Sequence, residues 1–191
     1  MKTIIFPIAL IAALSFSSCG GGTKDTKEVA EESNNSTFDN SKDMKNDAEA
    51  MAKAASMNMW EIQYSEAALP GLVTPEAREL AQMMIDSHKK VGDKAMALAA
   101  EKQITLPAGL TEDEMNKINK MQDNDKGINF DKSYADQMID DHKKAVDHFE
   151  KSADRCEDPS IKAFFADNLA DLRNHQQRAE STKETIKDRK K

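Results

Sequence analysis

The chain has little of what marks several protein classes. Only 5% of its 191 residues are aromatic, and no apolar run after residue 18 approaches the ~20 residues that a membrane helix needs. Basic residues are outnumbered, with 27 Lys and Arg against 34 Asp and Glu, and the formal net charge is −7. Because affinity for a phosphate backbone depends on basic patches, we expect no nucleic-acid partner.

Common catalytic patterns are also missing. There is no glycine-rich loop of the phosphate-binding kind, and no serine or cysteine is evidently paired with a base for nucleophilic catalysis. These absences favour a protein without enzymatic activity over an enzyme, although they leave metal-dependent chemistry open.

The first 18 residues have the pattern of a bacterial signal peptide. Lys2 supplies a positive charge, residues 4–16 form a short apolar core, and Ser17-Ser18 precede Cys19, as in a loose lipobox. We therefore expect an exported lipoprotein, anchored to a membrane by a lipid on Cys19. The alternative is an ordinary secretory signal with an incidental Cys19. With Cys19 lipidated, Cys156 is a lone thiol that cannot form an internal disulfide, and we expect it to pack rather than to react.

Composition divides the remainder into two parts. Residues 19–42 are rich in Gly, Ser, Thr, Asn, Lys and Glu, which predicts a flexible tether. Residues 43–188 are rich in Ala and Met, with glycine and proline mostly at expected boundaries, which predicts one all-helical domain.

Helical periodicity and start signals divide that domain into four long helices. Thr74-Pro75 and Asp158-Pro159 each place a capping residue before a proline, and Pro70-Gly71 ends the first helix. A capping box at residues 111–114 begins a short helix inside a longer crossover. We predict long helices at about 43–69, 75–102, 130–155 and 159–186, and a short helix at 111–122. Tight joins within each pair favour an antiparallel four-helix bundle, with the short helix in the crossover between the second and third long helices.

One motif occurs twice. Residues 84–93 and 138–147 agree at seven of ten positions, and each copy has a histidine one turn after a methionine, on one helix face. His88, His142 and His175 all lie near the middle of a predicted helix and point inward, so they could meet at one level. His148 lies off the apolar stripe. Glu61 or Glu66, on the first long helix, could be an acidic neighbour.

Imidazoles favour transition metals, and thioethers at Met84 and Met138 would favour copper among copper, iron and zinc. We therefore consider a metal site formed by His88, His142, His175 and Glu61. The alternative is that each histidine is an ordinary core residue satisfied by a neighbour, and that the methionines only fill space.

A di-iron site of the ferritin type does not fit the sequence. Such a site needs a glutamate three residues before a histidine on two helices, but those positions hold Ile85, Ile139 and Leu172. Asp86 and Asp140 lie on another face and are expected to be exposed to solvent. Ferroxidase activity of the usual kind is therefore not expected.

These residues together resemble the bacterial family catalogued as domain of unknown function 4142, which is placed among ferritin-like bundles and labelled as outer-membrane proteins. The resemblance covers about residues 48–179 and rests on segments 60–62, 81–90, 104–107, 130–134, 138–145 and 172–175. In the family pattern an acid usually comes directly before the first histidine. Ser87, before His88, departs from this pattern, whereas Asp141, before His142, keeps it. The resemblance implies a shared inner set of Glu61, His88, His142 and His175, and an outer-membrane location in a Gram-negative cell. The family has no established activity, so the resemblance implies no mechanism.

The sequence thus predicts an envelope lipoprotein whose helical bundle is a binding or stress-related module of unknown ligand. The alternative function is transition-metal binding through the inward histidines. The sequence identifies no protein partner.

Overall fold

The computed structural model describes residues 25–190, and the secondary structure of this part of the chain is entirely helical. Six α-helices lie at α1 (Thr26–Thr37), α2 (Lys42–Ala68), α3 (Pro75–Glu101), α4 (Glu112–Gln122), α5 (Ile128–Arg155) and α6 (Pro159–Ile186). A short 3₁₀ turn, Leu69–Gly71, follows α2. The expected all-helical class is confirmed, and the five predicted helices agree with α2–α6 to within about two residues.

Side-chain caps explain where several helices begin. Ser41, Thr74, Thr111 and Asp158 each accept a hydrogen bond from a backbone N–H in the first turn of the helix that follows. At α4 the Glu114 side chain completes the predicted capping box by accepting from the Thr111 N–H. α5 has no side-chain cap, and its N-cap residue is Gly127, whose φ of 139° favours glycine.

The four long helices form a helical bundle. α2 packs along α3 and α5 along α6, and the two hairpins meet where α3 contacts α6 and α2 contacts α5. Near one end of the bundle the start of α5 contacts the α2–α3 turn; near the other the start of α2 contacts the α5–α6 turn. The crossover, residues 102–127, connects α3 to α5 and contains α4.

Two buried aspartates connect the hairpins through hydrogen bonds. Asp131, in the first turn of α5, accepts from the backbone N–H of Val73 and of Thr74, the latter at 2.7 Å, and from the Thr74 hydroxyl. Asp47, near the start of α2, accepts from the N–H of Glu157 and from that of Asp158, at 3.1 and 2.8 Å. Each hairpin therefore provides the acceptor that fixes the turn of the other.

These reciprocal contacts reveal a second internal correspondence. Asp47 and Asp131 are 84 positions apart, and so are Val73 and Glu157. This offset relates one hairpin to the other. The repeated motif has an offset of 54 and relates α3 to α5 instead. Because α3 is the second helix of one hairpin and α5 is the first helix of the other, duplication of a hairpin does not explain the repeated motif.

The N-terminal segment differs from expectation. Residues 19–42 were predicted to be a flexible tether, and this is wrong for Thr26–Thr37, which form α1 against α2. The reason is a polar rather than apolar contact. The buried Asn34 amide accepts from the Thr105 N–H and donates to the Thr105 carbonyl, at 2.7 and 2.9 Å, while Ala30 packs one turn earlier. The proposed signal peptide, residues 1–18, and Cys19 lie outside the described residues.

Among residues 25–190, no helix combines the length and apolar character required to cross a membrane.

Replacing Asp131 with alanine should destabilise the fold strongly, because two backbone N–H groups and a hydroxyl would lose a buried charged acceptor. We expect the free energy of unfolding to fall by about 3 kcal/mol, measured by urea denaturation. Asp136→Ala is the matched control on the same helix; its exposed ion pair with Lys183 should contribute less than about 1 kcal/mol. Equal losses in the two variants would contradict the assigned role of Asp131.

Candidate metal centre

The three inward histidines lie in a polar layer between two apolar clusters. One cluster includes Leu80, Met84 and Met138, and the other includes Met51, Phe149 and Leu172. Along each long helix the chain passes from one cluster to the other through this layer. The buried polar side chains in it are Asn58 and Glu61 on α2, His88 on α3, His142 on α5 and His175 on α6.

The imidazoles converge as the sequence predicted. The ring centroids of His88, His142 and His175 are 5.3–5.4 Å apart pairwise, and one nitrogen from each ring lies within 4.8 Å of the other two. All three side chains are buried, and His142 is fully so. Each ring comes from a different helix, so the packing of α3, α5 and α6 is what brings them together.

The hydrogen bonds of His142 and His88 assign their protons. The Nδ1 of His142 lies 2.9 Å from the Met138 carbonyl, which can only accept, so this nitrogen donates. The Nδ1 of His88 lies 3.0 Å from Oδ1 of Asn58 and donates in the same way. Both Nε2 atoms of the neutral rings are then bare acceptors, and they face each other at 3.3 Å.

Two facing lone pairs repel unless a cation lies between them. Four ligands about 2.0–2.1 Å from a tetrahedral metal are separated from one another by about 3.3 Å. The distance between the Nε2 atoms of His88 and His142 matches that separation. One nitrogen of the third ring lies within 4.8 Å of both of the others, and the buried Nδ1 of His175 has no hydrogen-bond partner among residues 25–190.

Burial keeps the cluster in the form that binds metals. Burial and the neighbouring imidazoles lower the pKa of His88 well below its usual value, and burial and His175 lower the pKa of His142 to about 4. Burial also lowers the pKa of His175, partly opposed by Asp171. The three rings are therefore neutral near pH 7, and a metal ion would not have to displace protons from them.

Glu61 lies beside this triangle of imidazoles. Its Oε1 is 3.7 Å from Nδ1 of His142, the ring nitrogen opposite the one that faces His88. Its buried Oε2 has no hydrogen-bond partner in the part of the chain that the structure describes. Burial, with Asp141 nearby, raises the pKa of the Glu61 carboxyl well above its usual value. Glu66, the other acid considered from the sequence, is exposed and pairs with Lys89.

The remaining sequence predictions have definite outcomes. His148 is half-buried outside the cluster and donates from Nε2 to the Ala50 carbonyl, as its position off the stripe predicted. Asp86 and Asp140 are exposed, as expected. Cys156 is buried, and burial together with Asp47 raises the pKa of its thiol to about 12, which agrees with an unreactive role. Met84 and Met138 are fully buried, but the Met138 sulfur receives a long contact from the Ser65 hydroxyl at 3.8 Å.

The sequence analysis missed two residues that shape the site, Asn58 and Gly92. Asn58 holds His88, and Gly92 makes room for it, since a Cβ at Gly92 would lie 2.9 Å from Asn58 Nδ2. Asp141 accepts from the Trp60 indole at 2.7 Å and from Gln137 at 2.6 Å, which ties α5 to α2 directly before His142. A glycine in the middle of a strong helical pattern was the available signal.

Comparison with known proteins places the chain in a family. The family model described as Domain of unknown function (DUF4142) matches residues 32–182, most of the chain. The chain belongs to this family. Searches of curated proteins and of solved structures found no match. The DUF4142 match begins inside α1 and ends in α6, so it includes all three histidines and Glu61.

Gly92→Ala should disturb His88 without unfolding this DUF4142 domain. The added methyl group displaces the Asn58 amide, while alanine favours a helix over glycine by about 1 kcal/mol, so stability should change by less than about 1 kcal/mol. Long-range ¹H–¹⁵N NMR spectra of the metal-free protein should show His88 as the Nδ1–H tautomer, altered in Gly92→Ala and unaltered for His142.

Gly109→Ala is the control, because a Cβ at Gly109 meets nothing within 4 Å. Spectra of the wild-type protein in which His88 carries its proton on Nε2 would contradict the assigned pair of facing lone pairs.

Proposed function

We propose that this protein binds one transition-metal ion through His88, His142 and His175. The observation that carries the proposal is the convergence of three buried imidazoles, with the Nε2 atoms of His88 and His142 only 3.3 Å apart. Apolar side chains lie on both sides of the layer, and burial keeps the rings neutral. An arrangement that repels without a cation and fits a metal with one is better explained by metal binding than by core packing.

The ligand chemistry narrows the choice of metal. Three neutral imidazoles form a borderline donor set suited to zinc, copper or iron, and contain no carboxylate that would favour magnesium or calcium. The absence of Glu-x-x-His pairs argues against a ferritin-type pair of irons. A mononuclear centre within a ferritin-like antiparallel four-helix bundle is therefore the proposed arrangement.

Metal analysis of purified protein tests the proposal. Wild-type protein reconstituted with Zn²⁺, Cu²⁺ or Fe²⁺ and passed through a desalting column should retain about one equivalent of at least one of these metals. Alanine at His88, His142 or His175 should lower the affinity by at least about tenfold, because a metal ligand is removed.

His148→Ala is the matched control, since His148 is a partly buried histidine outside the cluster, and its affinity should equal that of the wild type. Absence of retained metal in the wild type, or equal losses in all four variants, would contradict metal binding and favour a binding or stress-related module that uses no metal.

We also propose that the domain works in the cell envelope, exported by residues 1–18 and anchored by a lipid on Cys19. The sequence around Cys19 supports this, and the serine pair before it fits a lipobox. Cys19→Ala should move the protein from the membrane fraction to the soluble periplasmic fraction, as measured by immunoblotting of both fractions. Cys156→Ala is the control and should stay in the membrane fraction; membrane association of the Cys19 variant would contradict the anchor.

A further inference from the structure

A deep groove leads from the surface to the histidine cluster. It has a volume of about 910 Å³ and runs along α2, bordered by α1, α5 and part of the crossover. Its wall includes Asn58, Glu61 and His88, but neither His142 nor His175. The groove therefore reaches the cluster from the α2 side, past residues that contact His88 and His142.

The α2 side of the cluster provides no imidazole. The long helices follow one another around the bundle as α2, α3, α6 and α5, and three of the four provide an imidazole. At this level α2 provides two polar side chains. Asn58 is already hydrogen-bonded to His88, and the nearer oxygen of Glu61 lies beside Nδ1 of His142, the ring nitrogen that does not face His88. A metal held by three imidazoles would therefore keep a coordination position directed towards α2 and the groove.

Glu61 is suited to a second role there. Its Oε2 is buried and has no partner among the described residues, and a buried polar atom of this kind costs about 1–3 kcal/mol when it is left without a hydrogen bond. A ligand in the open position would lie next to this carboxyl group. Trp60 and Lys144 hold Asp141 at the same wall of the groove.

We propose that the open position binds a small exogenous anion, which enters through the groove and lies beside Glu61. This inference rests on the proposed metal centre. A divalent ion with three neutral ligands adds two positive charges to a buried layer, and an anion compensates part of that charge. A metal centre with three protein ligands and one exchangeable position is the arrangement typical of reactive rather than purely structural sites.

Azide binding to the Co²⁺-loaded protein tests the inference. Co²⁺ is the spectroscopic probe, and its visible absorption reports changes in its ligands. Azide should change the spectrum saturably in the wild type. Glu61→Ala should retain one Co²⁺ and change the affinity for azide by about tenfold or more, because a buried polar group beside the open position is removed.

A variant that narrows the groove provides an independent measurement. Val91 is half-buried, lies on the groove wall and is on α3, three residues after His88. Val91→Phe should keep Co²⁺ but slow or weaken azide binding by at least about tenfold. Val146→Phe is the matched control, since Val146 is also half-buried and packs against the same apolar cluster without lining the groove. Circular dichroism identifies any variant that does not fold.

The outcomes separate the two proposals. Wild-type protein that binds no Co²⁺ overturns the metal centre and the anion site with it. One bound Co²⁺ whose spectrum is unaffected by azide overturns the anion site alone. Loss of Co²⁺ in Glu61→Ala, in a folded variant, would make Glu61 the fourth ligand and would also overturn the anion site.

Discussion

The structure depends on a buried polar layer that interrupts an otherwise apolar bundle. Five polar side chains, Asn58, Glu61, His88, His142 and His175, occupy the level between the two apolar clusters. Transfer of such groups out of water is unfavourable unless each finds a partner. The layer satisfies part of this demand, through Asn58 and the Met138 carbonyl, and leaves Glu61 Oε2 and His175 Nδ1 unsatisfied. Most natural cores avoid such unsatisfied atoms, so their concentration at one place indicates a site.

The two aspartate contacts explain how the layer can be held in register. Three imidazoles on three helices meet only if those helices are fixed lengthwise, and apolar packing alone tolerates sliding more readily than directional hydrogen bonds do. Asp47 and Asp131 each fix one hairpin turn to the first turns of the other hairpin, at opposite ends of the bundle. The histidine layer lies between these two points. The fold is therefore constrained at both ends, and the site in the middle can carry unsatisfied polar atoms without loss of the arrangement.

Much of this architecture was predictable from the sequence. Helical periodicity and the Thr74-Pro75 and Asp158-Pro159 signals gave the long helices nearly to the residue, and the mid-helix positions of the three histidines predicted a common level. These features are local, or follow from helix geometry. What could not be predicted depends on contacts between distant segments. α1 forms because the Asn34 amide matches the Thr105 backbone, and composition cannot show such a match.

The same limit applies inside the site. Glu61 was expected as a possible ligand, yet its position at the far nitrogen of His142 depends on the rotation of α2, which periodicity fixes only to a face. Asn58 was overlooked because a single asparagine in an Ala- and Met-rich helix carries no pattern. Gly92 was the one local sign that another chain segment approaches α3 closely at that height.

The division of the layer between three imidazoles and one carboxyl-bearing helix has a physical consequence. If α2 supplied a fourth strong ligand, the charge of a bound metal would be enclosed on every side and the groove would lead to a closed centre. Instead α2 presents an amide already used by His88 and a carboxyl that is displaced from the imidazole triangle. The groove reaches this one weakly coordinating wall. Directional polar groups therefore make one side of the bundle interior different from the other three, and that asymmetry is what would distinguish a reactive metal centre from a structural one.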